Sequence, residues 1–457
     1  MIVRIHVLAC SFCYKMSVYR AQASFSVVFL ALLVGVRCSD GRVQASGRAP
    51  TTFRNPISDE KMADPWVLFW NGSYHLISSA ENEQGIPTLR VYKSNNLGDF
   101  RNAEKKVIYT APQGTMWSKE LWAPELHYIH GEFYVYYAAD DGNNINHKMY
   151  VLKGDDPNNP MSSYTFMGKI FDSQKDWWGI DGTILKHRNG KNYYIYSGWD
   201  GAYNYDPLVQ HLFIAEMASP TSLVPGTATL IKSPHYSWET DGQAVVEGPA
   251  VVEMNDTYYL MYSAGASWTM YYSTSVMGLN ARSDPLKASS WWRSDKPVFP
   301  RNEAEDVYGP GHASFTVSPD GKEHWIVYHA LDDPEGHWAN RSPRAQQFFF
   351  DATGFPYFPL AAGFHRDIPL PSGTDVNFFQ GSDYNPGSSN DLFHLQTSNQ
   401  TVCRETCEMR RNCDLVVMNT CGDECWGKRF TGYGGFVSRS CRQTIRVEFD
   451  DRHHGNL

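Results

Sequence analysis

The sequence predicts an all-β protein, a five-bladed β-propeller followed by a small disulfide-rich C-terminal module. Three observations lead to this prediction. Five hairpin-like segments of similar sequence start at residues 62, 121, 179, 246 and 309 of the 457-residue chain. Aromatic residues make up 14% of the chain, a bias typical of strands. Long amphipathic helical patterns are scarce, and six cysteines cluster near the C-terminus.

The first segment of the chain, residues 1–38, is interpreted as a signal peptide. Arg4, Lys15 and Arg20 accompany an apolar run at residues 25–36, which is short of the ~20 residues that span a membrane. An uncleaved signal anchor is the alternative. Clustered cysteines and four Asn-X-Ser/Thr sequons also fit export. We therefore expect a secreted, extracellular protein that has no membrane contact after signal cleavage.

The five repeated segments define a domain predicted over residues 50–371. Each has a small or acidic opening, an apolar run, a turn such as Asn-Gly or Asp-Gly, and a second aromatic run, which together indicate a β-hairpin. The rest of each repeat contains two further strand-like runs. Four strands repeated five times predict a propeller. The openings are ADPWV (63–67), WAPELH (122–127), GIDGTIL (179–185), VEGPAVV (246–252) and YGPGHASFTV (308–317).

In a propeller the first strand of each blade lies nearest the axis, so the five openings should converge at one end of the channel. They carry Asp64, Glu125 with Trp122, Asp181, Glu247 and His312. Converging carboxylates suit glycosidic cleavage, which needs one protonated acid and one ionised base. Crowding of like charges helps one carboxyl keep its proton near neutral pH. The sequence therefore predicts a carboxylate site there.

Taken together, the five openings resemble glycoside hydrolase family 43 over roughly residues 54–372. The stretches SPHYSWE (233–239) and VFPRNEAEDVYGPGH (298–312) resemble the branch that contains exo-acting α-1,5-L-arabinofuranosidases. The resemblance implies an inverting mechanism. It implies Asp64 as the general base, Glu247 as the general acid, and Asp181 as the residue that raises the pKa of Glu247 and positions it. Glu125 is left out of the catalytic set, because strand alternation leaves its direction open.

The resemblance also implies residues around the sugar. His312 would help to hold a hydrated calcium ion in the channel; a neutral, hydrogen-bonded histidine beside the sugar is the alternative. Arg344 would contact the sugar ring, unless it forms an ordinary salt bridge. Trp122 would supply an aromatic wall, unless it belongs to the core. Tyr308 is a further candidate for substrate binding. No organic cofactor is expected.

The predicted function is a secreted, inverting glycoside hydrolase that releases L-arabinofuranosyl units from arabinan or arabinoxylan. Its partner would be a plant cell-wall polysaccharide or oligosaccharide. A β-xylosidase or an endo-arabinanase on the same scaffold is the alternative, and a catalytically inactive carbohydrate-binding propeller is an alternative of another class. The net charge of −9 argues against nucleic acid as a partner, because phosphate binding requires a basic face.

Residues 372–391, rich in Gly, Ser, Asn, Asp and Pro, are predicted to be a linker. Residues 392–457 contain Cys403, Cys407, Cys413, Cys421, Cys425 and Cys441, a disulfide framework whose pairing stays open. Zinc is disfavoured because no CxxC pair is present among these six cysteines. The spacing resembles a PAN/apple-like module, which implies that the tail binds carbohydrate or protein.

Overall fold

The computed structural model describes residues 52–79, 85–201, 209–374, 378–384, 391–397, 399–408, 413, 415–419, 424–428 and 436–446. The predicted signal peptide lies outside these residues. The prediction of an all-β protein is confirmed, because strands dominate the described part of the chain and its one α-helix is α1 (Gln400–Glu408). None of the helices described is both long and apolar enough to cross a membrane.

Five antiparallel sheets correspond to the five repeated segments, and in each sheet the first two strands form the predicted hairpin. After β1 (Thr52–Phe53), the first sheet contains β2 (Ala63–Trp70), β3 (Ser73–Ser79), β4 (Thr88–Ser94) and β5 (Glu104–Thr110). The second sheet contains β6 (Lys119–Ile129), β7 (Glu132–Asp140), β8 (Lys148–Gly154) and β9 (Tyr164–Lys169). The third contains β10 (Gly179–Lys186), β11 (Asn192–Trp199), β12 (Gln210–Ser219), β13 (Ser222–Leu223) and β14 (Thr229–Lys232).

The fourth sheet contains β15 (Val246–Met254), β16 (Thr257–Ala264), β17 (Ser273–Asn280) and β18 (Trp291–Arg293). The fifth contains β19 (Tyr308–Val317), β20 (His324–Leu331), β21 (Ser342–Phe350) and β22 (Pro356–Tyr357), and β23 (Ile368–Pro369) follows it. Short 3₁₀ helices lie in the connections, at Asn144–Asn146, Ser237–Glu239, Ala288–Ser290, Glu303–Glu305 and Trp338–Asn340.

The first strand of each sheet contacts the first strand of the next, and β19 of the fifth sheet contacts β2 of the first. Ser314 Oγ donates to the Pro65 carbonyl at 2.8 Å and accepts the Val67 N–H at 3.2 Å, which joins these two strands. Pairing of β1 with β23 joins the beginning and the end of the five-sheet region. Buried apolar and aromatic side chains fill the space between neighbouring sheets. The five openings therefore lie close together.

Near its start, the first strand of every sheet has an irregular register with its partner strand. Asp64, Asp181 and His312 lie in these irregular stretches and have φ values of 53°, 56° and 48°. Such left-handed backbone is uncommon in residues other than glycine. A β-bulge bends its strand and changes the direction of a side chain. These irregularities therefore direct the three side chains to one end of the sheets.

The C-terminal module contains a five-stranded sheet with the order β24-β28-β26-β27-β25. Its strands are β24 (Phe378–Tyr384), β25 (Asp391–Leu395), β26 (Leu415–Asn419), β27 (Glu424–Lys428) and β28 (Phe436–Arg446). Disulfides join Cys403 to Cys425 and Cys407 to Cys413. The predicted linker at 372–391 is wrong in part, because it contains β24. The Gly-, Ser- and Asn-rich residues that follow this strand made the whole segment resemble a linker in the sequence.

Candidate active site

A cavity of about 620 Å³ lies where the five first strands begin. All five sheets contribute residues to its wall. Five of the residues predicted from the sequence line it together: Asp64, Trp122, Asp181, Glu247 and His312. The convergence expected of the openings is therefore present, and these side chains share one solvent space although the chain separates them widely.

Asp64, in β2, is surrounded by hydrogen-bond donors. Its Oδ1 accepts a hydrogen bond from Arg341 Nη1 at 3.0 Å, and its Oδ2 accepts one from Ser79 Oγ at 2.7 Å. The Asp64 backbone N–H donates to His329 Nδ1 at 3.0 Å. Burial alone would raise the pKa of Asp64, but the charge of Arg341 and the nearby imidazoles hold that pKa well below its usual range. Asp64 is therefore ionised and can act as a base.

Glu247, in β15, has a different environment. Its Oε1 accepts a hydrogen bond from the Tyr272 hydroxyl at 2.9 Å, and its Oε2 accepts one from Gln210 Nε2 at 3.1 Å. Burial raises the pKa of Glu247 to about 7; the hydrogen bond from Tyr272 opposes this rise, and the negative charge of Asp64 adds to it. Glu247 therefore keeps a proton under mildly acidic conditions and can act as an acid.

Asp181, in β10, is buried beside the other two acids. Its Oδ2 accepts the backbone N–H of Gly248 at 3.0 Å, which links it to the residue after Glu247. Burial, followed by the negative charges of Glu247 and Asp64, raises the pKa of Asp181 well above its usual value. Asp181 and Glu247 repel each other when both are ionised, so this pair retains a proton near neutral pH.

His312 lies between two of the acids. Its Nδ1 is 3.2 Å from Asp64 Oδ1 and 4.0 Å from Asp181 Oδ2. Burial lowers the pKa of His312, against the opposing charge of Asp64, and so favours the neutral form of its ring. Within the described residues, no group of three or more His, Cys, Asp and Glu side chains is placed to hold a metal ion. Because calcium takes six to eight oxygen ligands, an ion beside His312 would be held mainly through water, and the hydrated calcium ion stays a prediction.

Aromatic side chains form much of the remaining wall. Trp122 stacks on His147 with ring centroids 4.0 Å apart, and its indole N–H donates to Glu120 Oε2 at 3.0 Å. The half-exposed Trp338 meets Trp268 edge to face at 5.0 Å. Indole rings present apolar faces that suit the C–H surface of a sugar. Trp178 and Trp199 also line the cavity.

Two predicted substrate-binding residues lie elsewhere. Arg344 is fully buried in β21, where it pairs with Asp332 and donates to the Ala362 carbonyl at 3.3 Å. This burial excludes contact with a sugar, so the prediction for Arg344 is wrong, and Arg341 lines the cavity instead. Tyr308 is not among the residues that line the cavity; its hydroxyl lies 3.5 Å from Asp306 Oδ1.

Sequence reasoning also missed several residues that hold the acids. Arg341 lies three residues before Arg344, the arginine that the family resemblance indicates. Gln210, Tyr272 and His329 contact the acids but lie outside the five openings, on the strands that follow or between them. No motif marks them. In the structure Gln210 begins β12, Tyr272 directly precedes β17, and His329 lies two residues before the end of β20, so each lies near the strand end that approaches the convergence point.

A model of the family described as glycosyl hydrolases family 43 matches residues 53–356. The chain is 34% identical over 352 residues to an extracellular exo-α-(1→5)-L-arabinofuranosidase of Streptomyces avermitilis, covering 74% of this chain and 70% of the relative. It is 32% identical over 324 residues to α-L-arabinofuranosidase 43 of Humicola insolens, covering 68% of this chain and 62% of the relative.

The crystal structure of an α-L-arabinofuranosidase from Lactobacillus brevis resembles the fold with a TM-score of 0.63 at 30% identity. That comparison covers 69% of this chain and 98% of the bacterial protein. The matched region contains all the acids described above, from Asp64 to Glu247. The chain belongs to glycosyl hydrolases family 43 and is a glycosidase.

Proposed function

We propose that this glycosidase is a secreted, exo-acting α-L-arabinofuranosidase that hydrolyses its substrate with inversion. One observation carries the proposal: Asp64, kept ionised by Arg341, shares a cavity with Glu247, whose pKa is raised to about 7. An ionised carboxylate and a protonated carboxyl are the base and the acid that glycosidic hydrolysis requires. The names of the Streptomyces and Humicola relatives support the choice of arabinofuranosyl substrates.

The proposed reaction has a single displacement. Asp64 takes a proton from a water molecule as the water oxygen attacks the anomeric carbon. The bond from that carbon to the leaving oxygen breaks, and Glu247 donates its proton to that oxygen. Asp181 lies beside Glu247 and, when ionised, disfavours a second negative charge there. Arg341 orients Asp64.

We further propose that the five sheets form the blades of a propeller. Contacts between successive first strands, including those of the fifth and first sheets, support this arrangement. Secretion is supported by the apolar N-terminal segment and by the extracellular relatives. The polymeric substrate would be plant arabinan or arabinoxylan. That the C-terminal module binds carbohydrate or protein stays a prediction.

The test is to offer the protein aryl α-L-arabinofuranoside, aryl β-D-xyloside and linear arabinan, and to follow the first product anomer by NMR. We expect hydrolysis of the arabinofuranoside and release of arabinose from arabinan, with an inverted anomer. Preferred cleavage of the xyloside would indicate a β-xylosidase, and release of oligosaccharides from within arabinan would indicate an endo-arabinanase. A retained anomer would overturn the role of Asp64.

Variants of the acids separate catalysis from binding. Glu247→Gln and Asp64→Asn are expected to lower kcat by about 10²–10⁴-fold while the circular dichroism spectrum stays unchanged. Glu253→Gln, the same chemical change at a half-exposed glutamate that pairs with Arg188 away from the cavity, is the matched control and should leave kcat unchanged. If the wild-type protein binds arabinan and hydrolyses none of the three substrates, it is a carbohydrate-binding protein and not an enzyme.

A further inference from the structure

Tyr272 lies immediately before β17 and is completely buried. Its hydroxyl donates to Oε1 of Glu247 at 2.9 Å, while the other carboxyl oxygen, Oε2, accepts from Gln210 at 3.1 Å. Gln210 lines the cavity. The two oxygens of Glu247 are thus distinguished: Oε1 is directed at a buried phenol, and Oε2 lies beside a residue of the cavity wall.

The ring of Tyr272 also contacts the support of the base. It stacks nearly parallel on His329, with centroids 5.8 Å apart and an interplanar angle of 10°. His329 Nδ1 accepts the backbone N–H of Asp64. Burial lowers the pKa of His329 to about 4, so its ring is neutral and can accept this bond. The buried side chain of Tyr272 therefore contacts both Glu247 and the histidine that binds the backbone of Asp64.

The fifth opening is shaped around this ring. A Cβ atom built on Gly311 would lie 2.3 Å from Tyr272 Cε1, far inside contact distance, and one built on Gly309 would lie 2.7 Å from the Thr269 carbonyl oxygen. Gly309 also has a φ of 55°, which favours glycine. The two glycines of the GPG motif thus leave the space in which Tyr272 reaches Glu247.

We propose that Tyr272 is a positioning residue that fixes Oε1 of Glu247, so that Oε2 presents the catalytic proton to the leaving oxygen. This inference rests on the proposed function, because it assumes Glu247 as the acid. A hydrogen bond donated to a carboxylate stabilises the ionised form more than the protonated form. Loss of the Tyr272 hydroxyl should therefore make Glu247 harder to ionise and leave its carboxyl less well oriented.

Other charged or titratable groups near Glu247 come from several elements, and all of them remain when only the Tyr272 hydroxyl is removed. Asp64 of β2, Asp181 of β10 and Arg341 beside β21 act on Glu247 through their charges, while His312 of β19 contacts these aspartates and His329 of β20 stacks on Tyr272. A change seen on removal of the hydroxyl is therefore attributable to its bond with Glu247.

The experiment compares wild-type protein, Tyr272→Phe and Tyr328→Phe. Tyr328 is a matched control, since it is completely buried and its hydroxyl bonds Gln346 Oε1 at 3.0 Å, away from the acids. For Tyr272→Phe we expect the alkaline limb of the kcat profile to move up by about half to one pH unit. We also expect kcat to fall more on arabino-oligosaccharides than on aryl arabinofuranosides, whose leaving groups need less acid catalysis. Tyr328→Phe should keep the wild-type profile.

A second variant keeps the experiment decisive if Tyr272→Phe does not fold. Site-specific 3-fluorotyrosine at position 272 retains the ring and makes the hydroxyl a stronger donor, so the alkaline limb should move to lower pH. If both Tyr272 variants are active and the alkaline limb of their kcat profiles stays at the wild-type pH, the inference is overturned and the proposed function still stands. A wild-type protein without hydrolytic activity would overturn both.

Discussion

Arg341 Nη1 lies 3.0 Å from Oδ1 of Asp64, and both side chains face the cavity although both are largely buried. Arg341 is itself held by a bond from its Nε to the Trp338 carbonyl at 3.1 Å. A buried carboxyl without a partner would keep its proton. This ion pair is therefore what makes a buried aspartate available as a base.

Arg341→Met should raise the pKa of Asp64, because the positive charge that favours its ionised form is lost. The acidic limb of the kcat/KM profile is expected to move up by about one pH unit or more. Arg188→Met, at a half-exposed arginine that pairs with Glu253, serves as the control and should leave the limb in place. An unchanged acidic limb in Arg341→Met would show that Asp64 is not the base.

The wild-type pH profile should lose activity on its alkaline side near pH 7. Glu247 must be protonated to act as an acid, and its pKa is raised to about 7. Activity is present below that pKa and falls as the pH rises through it. Rates of aryl arabinofuranoside hydrolysis between pH 4 and 9 check this. Activity that stays constant up to pH 9 would exclude Glu247 as the titrating acid.

Asp181→Asn is expected to lower kcat by about 10²-fold and to move the alkaline limb to lower pH. Removing a negative charge beside Glu247 makes its ionisation easier. The asparagine Oδ1 can still accept the Gly248 N–H, so the backbone contact is kept. The measurement is a kcat profile on arabino-oligosaccharides. A shift to higher pH would contradict the role given to Asp181.

Trp122→Ala should raise KM about tenfold, equivalent to ~1.4 kcal/mol of binding free energy, because it removes an aromatic wall of the cavity. Trp122→Phe should have a smaller effect. The control is Trp292→Ala, which removes an exposed tryptophan of the fourth sheet that packs on Phe355. If Trp122→Ala and Trp292→Ala have the same KM, the indole at 122 does not contact the substrate.

Lys232→Met should destabilise the fold by about 3–5 kcal/mol. Lys232 Nζ lies 2.7 Å from both oxygens of Glu239, and both side chains are almost completely buried. Loss of the lysine leaves a buried carboxylate without its counter-charge. Lys191→Met breaks a half-exposed pair with Glu216 and should cost at most about 1 kcal/mol. Urea unfolding of both variants measures the difference.

Much of the five-sheet region could be predicted from the sequence, because its hairpins depend on local patterns. The turn at Asn71-Gly72, for example, lies between two apolar runs and joins β2 to β3 as expected. The first residue of the C-terminal module was harder to predict. β24 lies in a segment whose composition is dominated by turn-forming residues, and it pairs with β28, which is far away in the chain.

The acids of the site were predictable, but most of their partners were not. Asp64 and Asp181 occupy equivalent positions in the repeat, and Glu247 lies one position earlier, directly before Gly248, so the repeat itself brings the three acids together. Arg341 and Arg344 lie three residues apart, and nothing in their local sequence shows which side chain enters the cavity. Arg344 is kept out of the cavity by its buried pair with Asp332, and that contact depends on tertiary packing.

The left-handed backbone of Asp64, Asp181 and His312 has an evolutionary consequence. Each such residue folds against its own conformational preference by roughly 1–2 kcal/mol, a penalty that glycine would avoid. Selection for heat resistance and selection for turnover therefore act on these positions in opposite directions. In a related protein no longer selected for hydrolysis, glycine at these three positions would relieve the backbone strain and raise the stability of the fold.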